Sequence, residues 1–178
     1  MFQDQYSKYF YELNYDWLSE YFYVEDYDEK VLKNCKEEII DKNGYIFFAI
    51  HDKSVVGTMA LIPRENGVYE LNKMAVNKEL RGNGIGNQLI NFIIDFAKNK
   101  KYKSVILYSN TVLKNSIHLY KKFGFKKINI ENNKDYIFDG YFQSYKYFWN
   151  NKDKIKEIII PLHKLDIYLH KYQVCVTV

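Results

Sequence analysis

Cysteine occurs only twice in this chain, at Cys35 and Cys175. The two are too far apart for any zinc spacing, so no metal site is expected and a reduced compartment is the simpler setting. No apolar run reaches the ~20 residues that a bilayer span needs. The opening MFQDQY has neither a basic n-region nor an apolar h-region, so the expectation is a cytoplasmic protein with no membrane partner. No internal repeat or linker is visible. Acidic residues are missing altogether between Asp95 and Glu131, where nine lysines fall.

What is present argues for one well-packed domain. Hydrophobic residues make up 47% and aromatics 18% of the 178 residues, which excludes disorder. The 18 tyrosines sit beside abundant Lys, Asn and Ile and read as background composition, not as a base-stacking surface. The net charge of +4 hides an asymmetry, because residues 1–44 hold 11 acidic residues against 5 lysines. One lobe should attract cations and the other anions. For most single lysines a solvated helix face is the better reading. Nucleic-acid binding by the stretch from Lys98 to Lys127 has only charge behind it, so no nucleic-acid partner is expected.

The hydrophobic pattern gives an order of elements. Tyr6, Phe10, Leu13, Trp17, Leu18, Tyr21 and Phe22 recur at helical steps, and a second helix is expected over residues 28–41, before the Asn43-Gly44 turn. Short apolar runs at residues 45–50, 54–62 and 68–76 read as three strands joined by tight turns. A helix over 85–100 follows, then a buried strand at 104–109, a short helix at 115–123 and a strand at 125–130. Hairpins followed by strand–helix–strand–helix–strand make an α/β fold with a mixed sheet and helices on both faces.

Between the third strand and its helix stands ELRGNGIGN. A glycine-rich turn at a helix N-terminus aims backbone N–H groups and the positive end of the helix dipole at an anion, phosphate above all. A P-loop needs Lys-Ser/Thr where Asn87-Gln88 stands. A Rossmann fingerprint fits poorly, because Gly82, Gly84 and Gly86 come at uniform two-residue steps. The third pattern, R-x-x-G-x-G, is matched by Arg81, Gly84 and Gly86.

Two segments, ELNKMAVNKELRGNGIG over 70–86 and the stretch 110–125 with Asn115, Tyr120, Gly124 and Phe125, together resemble the GNAT superfamily of acyl-CoA-dependent N-acyltransferases. The resemblance covers roughly residues 12–130 and implies a GNAT-type, mostly antiparallel sheet, an N-acetyltransferase activity and acetyl-CoA as cosubstrate. It implies pyrophosphate on the backbone of Arg81, Gly82, Asn83, Gly84, Ile85 and Gly86. The pantetheine arm would pair with Met74, Ala75 and Val76, where an N–H would polarise the thioester carbonyl. Asn110 and Asn115 would contact the same arm. Tyr120 is the expected acid for the departing thiolate, since a phenol keeps its proton at neutral pH; an aromatic packed beside Leu119 is the plainer reading.

For the base there is Glu70, with a strand residue paired to a lysine as the alternative. Strand alternation would put Glu70, Asn72, Met74 and Val76 on one face. His51 and His118 read as bystanders. The acidic cluster of Glu20, Glu25, Asp26, Asp28 and Glu29 would steer a cationic small-molecule amine, in preference to a protein, toward the thioester. A non-catalytic acyl-CoA-binding module with the same fold is the competing hypothesis, and a homodimer stays open. Two departures from the family pattern stand out. The first strand looks missing, which would expose a sheet edge. Residues 131–178 are atypical, with 136–148 and 172–178 as rival candidates for the last strand, and 150–171 as an added helix, interface or tail.

Overall fold

The computed structural model describes residues 4–128, 142–148 and 173–177. Its sheet begins as the hairpins the short apolar runs suggested. Strand β1 (Tyr45–His51) turns at Asp52 and Lys53, both at positive φ, into β2 (Ser54–Pro63). Two successive left-handed residues are what a tight hairpin needs to match strand twist. A second turn at Asn66 and Gly67 leads into β3 (Val68–Val76). Helix α3 (Ile85–Asn99), β4 (Ser104–Asn110), α4 (Lys114–Lys122) and β5 (Lys126–Ile128) follow in the expected order.

Among the described residues the sheet has seven strands in the order β5-β6-β4-β3-β2-β1-β7, with β6 at Phe142–Phe148 and β7 at Gln173–Thr177. Every neighbouring pair is antiparallel except β3–β4. Both candidates for the last strand are therefore strands, in different places. β6 fills the slot between β4 and β5, whereas β7 pairs along β1, from Ile46↔Thr177 to Ile50↔Gln173. This corrects the expectation of an exposed edge: among the described residues no strand precedes the first helix, yet β7 covers the edge such a strand would occupy. Residues 136–141 and 150–171 lie outside the described residues.

Strand alternation divides the core in two. Phe47 and Ala49 face α3, which buries Ile85, Leu89, Ile90, Ile93, Ile94 and Ala97 against them. At roughly 1.5–3 kcal/mol per fully buried large aliphatic side chain, this helix is the main anchor of that face. Ile46 and Phe48 point the other way, into a core with Phe10, Val31, Leu32 and Ile39 from the N-terminal helices. These are α1 (Ser7–Tyr21), α2 (Asp26–Lys33) and a single π-helical turn at Lys36–Ile40. The sequence suggested one helix over 28–41. The break falls at Asn34, whose ψ of 40° leaves the helical region and whose side-chain amide donates to the Lys30 carbonyl at 2.9 Å. An asparagine that bonds its own backbone competes with helix continuation.

Candidate active site

The site begins where the only parallel pair among the described strands comes apart. β3 and β4 pair at Val68↔Ser104, Tyr69↔Val105 and Glu70↔Ile106, and no further. Beyond that point β4 stays paired with β6 as far as Asn110↔Phe142, and β3 stays with β2 to Gly57↔Val76. The cause lies in β3. Asn72 pairs with Ala60 and Ala75 with Thr58, so Lys73 and Met74 together oppose the single residue Met59. Lys73 takes φ 49°. An extra residue of this kind is a β-bulge, which bends its strand and raises its twist.

The bulge also overturns the expected alternation. Glu70 and Asn72 stand opposite Ile62 and Ala60, on the α1/α2 face. Met74 and Val76 pack into the α3 core instead. The four residues expected on one face are thus split between two.

A cleft of about 170 Å³ runs along β3 beyond the point of separation, lined on β3 by Met74, Ala75 and Val76, then by Arg81, Gly82, Ile85 and Gly86 of the loop and helix, and by Tyr120 of α4. Those eight are expected site residues. Trp17, Leu80, Ser116 and Leu119 also line it and were not anticipated. Trp17 stood in the sequence only as one apolar position of a helix, and nothing there showed which element it would face.

At the mouth, Gly84 forms the N-cap of α3 at φ 84°, with no side-chain cap and no acidic residue in the first turn. The first N–H groups of the helix therefore keep their donor capacity and positive potential for an outside acceptor. A Cβ on Gly84 would meet nothing within 4 Å, so the requirement is conformational and not a matter of space. Gly86 is different: a Cβ there would lie 3.4 Å from Leu119 and 3.7 Å from Met74, filling the cleft floor. Arg81 is fastened on two sides, donating from Nε to the Val76 carbonyl at 3.2 Å and from Nη1 to Glu20 at 2.8 Å. The Arg81 N–H beside it, more than any other cause, holds the Glu20 carboxyl below the usual range, against opposing desolvation. Asn83 donates to the Leu80 carbonyl at 3.2 Å, bracing the loop.

Tyr120 reaches the cleft with its ring 6.0 Å from Phe125 and 6.4 Å from Tyr145. Burial pushes its phenol up to about 12. Asn110 is buried and accepts from the Val112 N–H at 3.0 Å, which shapes the turn into α4. Asn115 is exposed in the first turn of α4 and does not line the cleft. Lys122, at the far end of α4, donates to Asn87 at 2.8 Å and so stands by the start of α3.

Glu70 is 1% exposed. Arg64 grips its Oε2 from Nε at 2.8 Å and Nη2 at 2.6 Å, and Asn72 donates to its Oε1 at 3.0 Å. Glu70 is therefore not the solvated strand residue of the alternative reading. Glu70 sits at the vertex of the gap without lining the cleft. The acidic cluster is also more neutral than its sequence suggests. Glu20 meets Arg81 and Lys78, Asp28 meets Lys73, and Glu29 meets Lys33 at 2.8 Å. Among the described residues, no helix is long and apolar enough to cross a membrane, and no group of three or more His, Cys, Asp or Glu is placed to hold a metal. His51 lies beside Asp52 at the β1–β2 turn and His118 is exposed on α4.

A sheet opened between two parallel strands, with a glycine-capped helix at the mouth, places the molecule among the acetyltransferase folds. The model of the Acetyltransferase (GNAT) family matches residues 9–125, and the chain belongs to that family. It is similar to a probable N-acetyltransferase 14 of Xenopus tropicalis, at 35% identity over 83 residues, 46% of this chain and 40% of the relative. The chain spans about half the length, or less, of the curated relatives it matches. Among solved structures it resembles a GNAT family acetyltransferase from Staphylococcus aureus Mu50, with a TM-score of 0.73 at 21% identity over 84% of this chain and 96% of that one. It also resembles a GNAT family acetyltransferase from Elizabethkingia anophelis with acetyl-CoA bound, with a TM-score of 0.56 at 24% identity over 70% and 91%.

Proposed function

We propose that this protein transfers the acetyl group of acetyl-CoA to a primary amine by direct attack. The observation that carries this reading is the gap between β3 and β4, which leaves the backbone of Met74, Ala75 and Val76 along a cleft that ends at the α3 N-terminus. An extended pantetheine arm adds to that strand edge as a further strand would. The pyrophosphate takes the α3 N–H groups, with Arg81, Gly82, Asn83, Gly84, Ile85 and Gly86 as its cradle. Arg81 exchanges Glu20 for phosphate as the cosubstrate enters. Asn115, exposed beside Ser116 of the cleft, meets the arm from α4. That β6 and β7 both join the sheet supports reading residues 1–178 as one domain.

In the reaction the amine nitrogen attacks the thioester carbon, and the oxyanion is met by the Met74 N–H, the Lys73 N–H being held by Asn72 Oδ1. The C–S bond then breaks and the nitrogen gives up a proton. Tyr120, with its phenol at about 12, stays protonated throughout the neutral range. Full transfer to a thiolate of ordinary value ~8.5 is uphill by about 5 kcal/mol. Its acid role is therefore a hydrogen bond to the developing thiolate, and the proton that the nitrogen gives up ends on that thiolate, leaving the amide and free CoA. The acceptor approaches from the α1/α2 face, where three of the five clustered acids are already paired. A small cationic amine remains the proposed acceptor class, with Glu25 and Asp26 as the source of the field.

The test is an amine panel read by release of free CoA. Turnover with cationic amines supports the reading, and preference for anionic acceptors such as glutamate removes the steering idea while leaving the transferase. Binding of acetyl-CoA without turnover of any amine favours the non-catalytic module.

A further inference from the structure

Four groups on the α1/α2 face of β3 form a single hydrogen-bonded chain. Arg64, at the start of the β2–β3 turn, donates twice to Glu70 Oε2. Glu70 Oε1 accepts from the Asn72 side-chain amide at 3.0 Å. That donation orients the Asn72 amide, so its Oδ1 accepts from the Lys73 backbone N–H at 2.7 Å. Lys73 is the bulged residue, at φ 49°, and has no register partner on β2. A non-glycine residue held left-handed is strained and persists only where its surroundings fix it. The chain supplies that constraint, and its anchor is nearly solvent-free, with Glu70 1% exposed.

We infer that Arg64, Glu70 and Asn72 act as a strut that locks the Lys73 bulge, so that Glu70 is a positioning residue for the oxyanion donor and not the base that takes the amine proton. The inference rests on the acetyltransferase reading for its kinetic consequences, but not for the strut itself. The oxygens that a base would offer the amine already accept N–H groups from Arg64 and Asn72. Glu70 also stands outside the cleft lining, whereas Met74, immediately after the bulge, lines it. Removing Asn72 frees the Lys73 N–H, and breaking a link behind it leaves the Asn72 amide free to turn, so in either case the segment relaxes toward regular pairing with β2. That turns the donor away from the thioester while leaving the pyrophosphate cradle, one turn of chain later, in place.

The strut predicts that amide exchange at Lys73, followed by hydrogen–deuterium exchange in the protein without cosubstrate, is protected in the wild type. Exchange there at the rate of a loop amide overturns the strut with no variant needed. In Asn72→Ala and Glu70→Gln alike, that amide should exchange roughly tenfold faster or more. Glutamine at 70 cannot accept from Asn72 and hold Arg64 at the same time, so it breaks the same chain. Both variants should lower kcat together, by roughly tenfold for a misaimed oxyanion donor, with the KM for acetyl-CoA little changed. The acid limb of the pH–rate profile should survive in both, and the double variant should be no slower than the slower single one.

Loss of the acid limb in Glu70→Gln alone, with Asn72→Ala near wild type, would show a base and overturn the inference. Unchanged Lys73 exchange in both variants would overturn it as well. If either variant fails to fold, Arg64→Lys, which keeps the charge but gives up one of the two N–H donors, should show the same faster exchange in weaker form. Absence of acetyl-CoA binding by the wild type would remove the transferase reading and leave the exchange results to decide the strut separately.

Discussion

The two walls of the gap between β3 and β4 are built on different principles. On the α3/α4 side the cradle is backbone, a glycine cap and the first turn of a helix, held by an apolar core. On the α1/α2 side the wall is made of side-chain charges that satisfy one another: Arg64 with Glu70, Lys73 with Asp28, Arg81 with Glu20. A backbone cradle keeps its donors for any ligand with phosphates and needs little from neighbouring side chains. A paired-charge wall holds its geometry only while each partner is present, because a buried ion left alone costs several kcal/mol. The cosubstrate half should thus be sensitive to backbone conformation and the acceptor half to charge deletion.

The largest effect expected from breaking this contrast comes from the backbone side. Gly84→Val puts a β-branched residue at φ 84°, and at about 1–3 kcal/mol for such strain acetyl-CoA should bind roughly ten- to a hundredfold more weakly. Arg81→Glu should produce a loss of similar size, by placing two acids at the mouth. Titration calorimetry measures both, and unchanged affinity in Gly84→Val would show that the cradle lies elsewhere.

Next in size is Tyr120→Phe. Removal of the hydroxyl should lower kcat by roughly ten- to a hundredfold with little change in the KM for acetyl-CoA, as steady-state kinetics would show. An equal loss in both parameters would mean that the ring, and not the hydroxyl, carries the role.

A smaller effect sharpens the electrostatic side. With Lys122 stationed at the α3 N-terminus and Lys114 and Lys121 exposed on the same helix, affinity for CoA should fall as salt rises and exceed that for dephospho-CoA. Equal affinity for the two would return these lysines to a solvated face.

The smallest change should come from Glu20→Gln, which releases Arg81 and tightens acetyl-CoA binding about twofold at neutral pH, as expected for an exposed pair. The sign with pH follows from the direction of the shift. Arg81 lowers the Glu20 carboxyl, so the bridge is fully present above the usual carboxylate range and is lost as pH falls through the lowered value. The advantage of the variant should disappear in acid, and a constant advantage at every pH would argue against competition between Glu20 and phosphate.

Much of this was legible in the sequence, and the rest was hidden for physical reasons. Strand β3 was expected over 68–76 and spans Val68–Val76, because tight turns bracket an apolar run. Helix α3 was bounded equally well by its glycine loop. The bulge at Lys73 was invisible, since an inserted residue leaves no mark on composition and appears only against the register of β2. Period-two reasoning therefore failed at Met74 and Val76. The partner of Glu70 was missed because Arg64 lies in a turn whose direction the sequence does not state. Trp17 entered the cleft through the packing of α1 across the sheet, a tertiary relation with no local signal. The covering of β1 by β7 joins residues more than a hundred positions apart, so no window along the chain could have suggested it.

The central claim is that the gap between β3 and β4 binds an acyl-CoA through the α3 N-terminus. Calorimetric titration of the wild-type protein with acetyl-CoA, repeated with Gly84→Val, tests it most directly. One acetyl-CoA should bind per chain, with affinity strongly reduced in the variant. Absence of binding to the wild type at millimolar acetyl-CoA would contradict it.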